Sequence, residues 1–107
     1  MLYTIKNESD FNNVRKSENT IMIYIGNNVL PHIRIKAIQA LEEIQSEHGV
    51  NACLFENNPG MLKIILQYNT ENSAIMYLFF SNNEQYHGAV FNRLSAEELN
   101  QIISDKK

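Results

Sequence analysis

Two stretches leave little choice about where they lie in a fold: Ile21-Met22-Ile23-Tyr24-Ile25 and Ala74-Ile75-Met76-Tyr77-Leu78-Phe79-Phe80. A strand with one face in water alternates apolar with polar residues, and neither run does. Both are therefore predicted to be central strands of a sheet covered on its two faces, over residues 20–25 and 74–80. They are the only runs apolar on both faces, and they are expected side by side and antiparallel. The first ends in Gly26-Asn27-Asn28, after which Val29-Leu30-Pro31-His32 opens a long helix. A loop that leaves a central strand and feeds a helix N-terminus is where α/β proteins usually place their chemistry.

The rest of the chain builds around these runs. Residues 2–5 are a short strand. Ser9 is placed to cap a helix through Lys16, with Asp10 in its first turn and Phe11 and Val14 on one face. The long helix runs over Pro31–His48: proline at its first position forfeits no hydrogen bond, and Gly49 ends it. Its buried stripe is Ile33, Ala37, Leu41 and Ile44. Residues 50–55 form a strand parallel to the first central one, because a helix crosses between them. Asn58-Pro59 starts a short helix to Tyr68, with Leu62, Ile65 and Leu66 predicted inward. Ser81-Asn82-Asn83-Glu84 is a hairpin turn. Residues 86–92, interrupted by Gly88, make an edge strand. Ser95 and Glu98 form a capping box that opens a last helix, with Leu99, Ile102 and Ile103 inward. The order is βαβαβαββα, a single α/β domain over all 107 residues with four helices around a mixed sheet.

Composition removes several classes of function. One cysteine excludes an intrachain disulfide and a four-cysteine zinc site. A net charge of -3, with basic residues scattered, gives no footprint for nucleic acid or an anionic membrane. No apolar run approaches the roughly 18 residues that span a bilayer, and residues 1–4 lead into no signal pattern. The chain is expected to be cytoplasmic.

Four motifs in order resemble the thioredoxin family over nearly the whole chain. Residues 22–32, Met-Ile-Tyr-Ile-Gly-Asn-Asn-Val-Leu-Pro-His, are similar without a gap to the thioredoxin strand and its Trp-Cys-Gly-Pro-Cys motif. Glu56-Asn57-Asn58-Pro59 resembles the Asp-x-Asn-Pro after the third strand. Leu78 to Glu84 is similar to the fourth strand and its Lys-Asn-Gly-Glu turn, and Phe91 to Leu99 to the exit of strand five and the start of the last helix. The resemblance implies a thioredoxin fold. It also implies a lost reaction centre: Val29 stands at the nucleophilic cysteine, His32 at the resolving one, Ile23 at the buried Asp, Asn28 at the Trp, and Ile75 at the cis-proline. Thiol–disulfide exchange needs a thiolate and a second thiol to release the mixed disulfide. No catalytic residue and no cofactor is therefore assigned.

His32 is expected to be neutral and partly buried, filling the space of the missing cysteine. No second ligand lies at metal spacing from it, so no metal is assigned. Cys53, among Ala52, Leu54 and Phe55, reads as a small buried hydrophobe. The Ala74–Ile75 peptide is expected to be trans, since a cis bond at a non-proline residue costs about 2.5–4 kcal/mol. In the family, three loops form a groove for an extended peptide, and the matching positions are Val29, Leu30 and Pro31, then Ala74 and Ile75, then Asn92 and Arg93. Val29, Leu30, Pro31, Ile75 and Arg93 are the expected partner-binding surface. The expected function is a non-redox protein-binding or accessory module, in a bacterial assembly on its Asn-rich composition, with another protein as partner. The alternatives are a thioredoxin-fold enzyme of another class (a one-cysteine peroxidase or glutathione-linked transferase) and a structural homodimer.

Overall fold

A computed structural model describes residues 2–70 and 72–106. The elements are β1 (Tyr3–Thr4), α1 (Glu8–Val14), β2 (Thr20–Ile25), α2 (Pro31–His48), β3 (Asn51–Glu56), α3 (Leu62–Tyr68), β4 (Ile75–Ser81), β5 (Glu84–Val90) and α4 (Ala96–Lys106). Two 3-10 turns, Pro59–Met61 and Phe91–Arg93, precede α3 and follow β5. The five strands form one sheet in the order β1-β3-β2-β4-β5. β2 lies parallel to β3 and antiparallel to β4, with Ile25 opposite Ile75 and Thr20 opposite Phe80. The two apolar runs are thus neighbours in the interior of the sheet, as their composition requires. This is the thioredoxin fold.

Alternate residues of each central strand feed two separate cores. On one face Ile21, Ile23, Ile25, Tyr77 and Phe79 meet Ala37, Leu41 and Ile44 of α2 and Leu99 and Ile103 of α4. On the other, Met22, Tyr24, Phe55, Leu78 and Phe80 meet Phe11 of α1 with Met61, Ile64 and Tyr68 around α3. Period-two strands between two helical layers need apolar residues at every position, which is the origin of the uniform runs.

Helix ends follow local chemistry. Pro31 opens α2 and Gly49 closes it in the left-handed region at φ 66°. The Glu98 amide donates to Ser95 Oγ (3.2 Å), and the Ser95 amide donates to Glu98 Oε1 (3.4 Å). Asn82 and Asn83, at φ 51° and 73°, form the primed turn that matches hairpin twist. The cap of α1 differs from expectation. It is Asn7, whose Oδ1 accepts from the Asp10 amide (2.9 Å), while Asp10 reaches back to the Lys6 amide (3.1 Å). Ser9 therefore lies inside the helix, which ends at Val14 rather than Lys16.

The inward face of α3 also differs. Leu62 and Leu66 are 51% and 83% exposed, and Ile64 and Tyr68 are buried instead. The preceding 3-10 turn advances three residues per turn and buries Met61, which sets a different helical phase from the one expected.

Candidate functional site

The end of β2, the start of α2, the start of β4 and the end of β5 converge at one end of the sheet. There they enclose a groove of about 250 Å³, walled by Val29, Leu30, Ile33, Ala74, Ile75, Val90, Phe91 and Asn92. Seven of those eight side chains are apolar. The groove lies over the face of the sheet that α2 and α4 cover, where Val29, Ile33 and Phe91 pack partly against the core.

Gly26 sets the close approach that shapes the floor. Its amide donates to the Ala74 carbonyl (2.7 Å), and a Cβ at this position would stand 3.2 Å from that oxygen. The Ala74–Ile75 peptide is trans, as expected. β4 consequently keeps pairing with β2 to its first residue, and the Ala74 carbonyl is engaged within the sheet. What the groove offers at this point is apolar side-chain surface.

The expected contact residues divide into three groups. Val29 and Leu30 are in the wall, Val29 half-buried and Leu30 59% exposed. Ile75 also lines the groove but is only 5% exposed and belongs to the core, so it is the floor and not an exposed anchor. Pro31 and Arg93 are exposed next to wall residues without forming the wall themselves. Ile33, Val90 and Phe91 complete it unannounced. Ile33 reads in sequence as one more member of the α2 stripe, and Val90 and Phe91 as the tail of an edge strand. His32 is a correction: it is exposed, and Val29 and Ile33 fill the space beside the core. Among the described residues no three His, Cys, Asp or Glu side chains gather as a metal site requires.

Cys53 is in β3, with the core on the opposite face of the sheet from the groove. It is 3% exposed, and burial, with a smaller contribution from Asp10, pushes its thiol from the ordinary 9.0 up to about 12. Nucleophilic sulfur chemistry requires an accessible thiolate, and this thiol is neither. A folded-state value above the unfolded one stabilises the fold fully below pH 9. That share is lost as pH rises toward 12, at about 1.4 kcal/mol per pH unit. Two results are expected. An aromatic disulfide reagent labels Cys53 at neutral pH only as fast as the protein unfolds, and Cys53→Ala makes the alkaline loss of stability shallower from pH 9 upward, leaving the share of the buried Tyr77 above pH 10. Labelling of the folded protein in seconds would contradict this burial.

No protein-family model matches the sequence, and neither does any curated protein. Solved structures match in shape along the whole chain. The reduced thioredoxin of Schistosoma mansoni is 13% identical, with 99% of this chain and 98% of that one covered at a TM-score of 0.76. Thioredoxin f2 of Chlamydomonas reinhardtii is 12% identical, covered over 100% and 97%, at a TM-score of 0.78. Oxidised mitochondrial thioredoxin 3 of Saccharomyces cerevisiae is 10% identical, covered over 97% and 94%, also at 0.78. The likeness is one of fold. With a single cysteine, this chain has no pair for a disulfide.

Proposed function

We propose that this thioredoxin-fold chain is a non-redox binding module that holds an apolar segment of a partner protein in the groove beside Leu30. The observation that carries this reading is the groove itself, apolar on nearly every side at the point where the resemblance places the family's reaction centre. A second consideration is local. Leu30 occupies the N-cap of α2 with no side-chain cap hydrogen bond, and it is 59% exposed. Ser, Thr, Asp or Asn at an N-cap stabilises a helix by about 0.5–2 kcal/mol over an apolar residue. A leucine here costs helix stability and solubility together, which fits a side chain used for contact. Complete burial of a leucine contributes about 1.5–3 kcal/mol. With partial shares from Val29 and Phe91, and association entropy set against them, the complex is transient.

The test is titration of the isotope-labelled protein with short capped peptides, apolar against Ser/Asn-substituted versions of the same length. Apolar peptides are expected to shift amides of the groove wall, and Leu30→Asp to remove the response without lowering the melting temperature. An aspartate at this N-cap is expected to add up to about 0.5–2 kcal/mol of helix stability. Binding that survives Leu30→Asp would overturn the proposal. Sedimentation across a concentration series tells a peptide groove from one occupied by a second copy. An insulin-reduction assay is expected to show no rate above its dithiothreitol control.

A further inference from the structure

A second cavity, of about 320 Å³, lies between α2, α4 and the turn after β5. It meets the groove at Phe91 and Asn92. Its walls include Ile44, Leu94 and Leu99, and its size is at the lower end of small-molecule sites, with room for about ten waters.

Two observations of different kinds point to an occupant. The first is Tyr77. It is 1% exposed, lines this cavity, and its hydroxyl has no hydrogen-bond partner among the described residues. Nor is that oxygen sealed: among the described residues only Arg15 Nε is both sealed and without a partner, and Tyr77 lines this cavity. Burying a phenol without a partner costs folding free energy, and buried tyrosines normally find one. The second is Glu43 and Glu47, one helical turn apart on α2 at the cavity mouth, exposed and engaged with no cation among the described residues. Like charges at this spacing on a helix repel each other slightly, and here nothing offsets them. Arg93 follows Asn92 in the chain but does not line the cavity.

We infer that this cavity binds a small organic amine. The ammonium sits between Glu43 and Glu47, the apolar body lies against Ile44, Leu94 and Leu99, and a polar group at the far end hydrogen-bonds the Tyr77 hydroxyl. An anion is excluded by the two carboxylates. A purely apolar molecule would displace water from the hydroxyl and leave it without a partner.

Three probes separate the parts: tyramine, phenethylamine, which lacks the distal hydroxyl, and 3-(4-hydroxyphenyl)propionate, which replaces the amine by a carboxylate. In amide-shift titrations tyramine is expected to bind saturably at millimolar concentration or below. The shifts should centre on α2 near Glu43 and Glu47 and on Ser95 to Leu99. Phenethylamine should bind several-fold more weakly, and the carboxylate should not bind. Glu43→Gln with Glu47→Gln should weaken tyramine about tenfold. Tyr77→Phe should erase the difference between tyramine and phenethylamine. Leu30→Asp should leave tyramine binding unchanged, which separates this site from the groove. The inference is overturned if tyramine gives no saturable shift, if the carboxylate binds equally well, or if the double glutamine variant binds tyramine as the native protein does.

Discussion

Ile75→Asp is expected to abolish the cooperative fold, whereas Leu30→Asp, in the same groove wall, leaves it intact. Ile75 is 5% exposed, sits opposite Ile25 across β2 and β4, and belongs to the core beneath α2 and α4. Deleting a buried isoleucine side chain costs about 2–5 kcal/mol by itself. A carboxylate in its place must be desolvated or protonated, which adds several kcal/mol, and aspartate is too short to carry its charge out to water. Together these match the whole stability of a domain of this size, about 5–15 kcal/mol. Near-ultraviolet circular dichroism and a urea melt decide it: a loss of the folded baseline is expected for Ile75→Asp. A cooperative transition at nearly the native midpoint would mean that the groove floor yields and that Ile75 is not part of the core.

Phe11→Ala is expected to remove about 3–5 kcal/mol. Phe11 is fully buried and is the one buried residue of α1. Its ring lies 5.9 Å from Phe55, 5.3 Å from Tyr68 and 5.6 Å from Phe80, edge-on to the first and last. The Arg15 guanidinium covers the same cluster, 5.0 Å from the Phe80 centroid. It donates to the Tyr68 hydroxyl (2.5 Å) and the Asn83 carbonyl (2.7 Å). Emptying the centre of that cluster loosens α1 and, through Arg15, its tie to the β4–β5 turn. Loss of such an amount lowers the melting temperature by about 15 °C or more in a domain of this length. Phe11→Leu, which refills most of the volume, is expected to recover most of the loss. A drop of only a few degrees for Phe11→Ala would show that the cluster closes over the gap.

Both predictions turn on burial, and burial was unevenly legible. Ile75 reads two ways in the sequence: its uniform run makes it a strand residue, while the resemblance sets it at the cis-proline position, in a loop. The Gly26–Ala74 hydrogen bond and the pairing of Ile25 with Ile75 assign it to the first position of β4. His32 reads as the filler of an emptied cysteine site, but the half-buried Val29 and Ile33 take that role. The second cavity has no sequence signal at all. Tyr77 is one apolar letter in a run of seven, and its unpartnered hydroxyl exists only because α2, α4 and the turn after β5 leave space above it.

What the sequence determined by itself are the features set within a few residues of chain. They include the two central strands from their uniform runs, the span of α2 from Pro31 and Gly49, the Asn82-Asn83 turn, the Ser95–Glu98 box, and the absence of a dithiol from a count of one cysteine. Each follows from backbone sterics or hydrogen-bond bookkeeping that neighbours in the chain already specify. What only the tertiary structure decided are phases and enclosures. In α3, Leu62, Ile65 and Leu66 read as the inward face, and the 3-10 turn before the helix sets a phase that buries Ile64 and Tyr68 instead. The groove and the cavity are likewise gaps between elements far apart in sequence, and their shapes depend on how closely α2, α4 and β5 approach one another over the sheet.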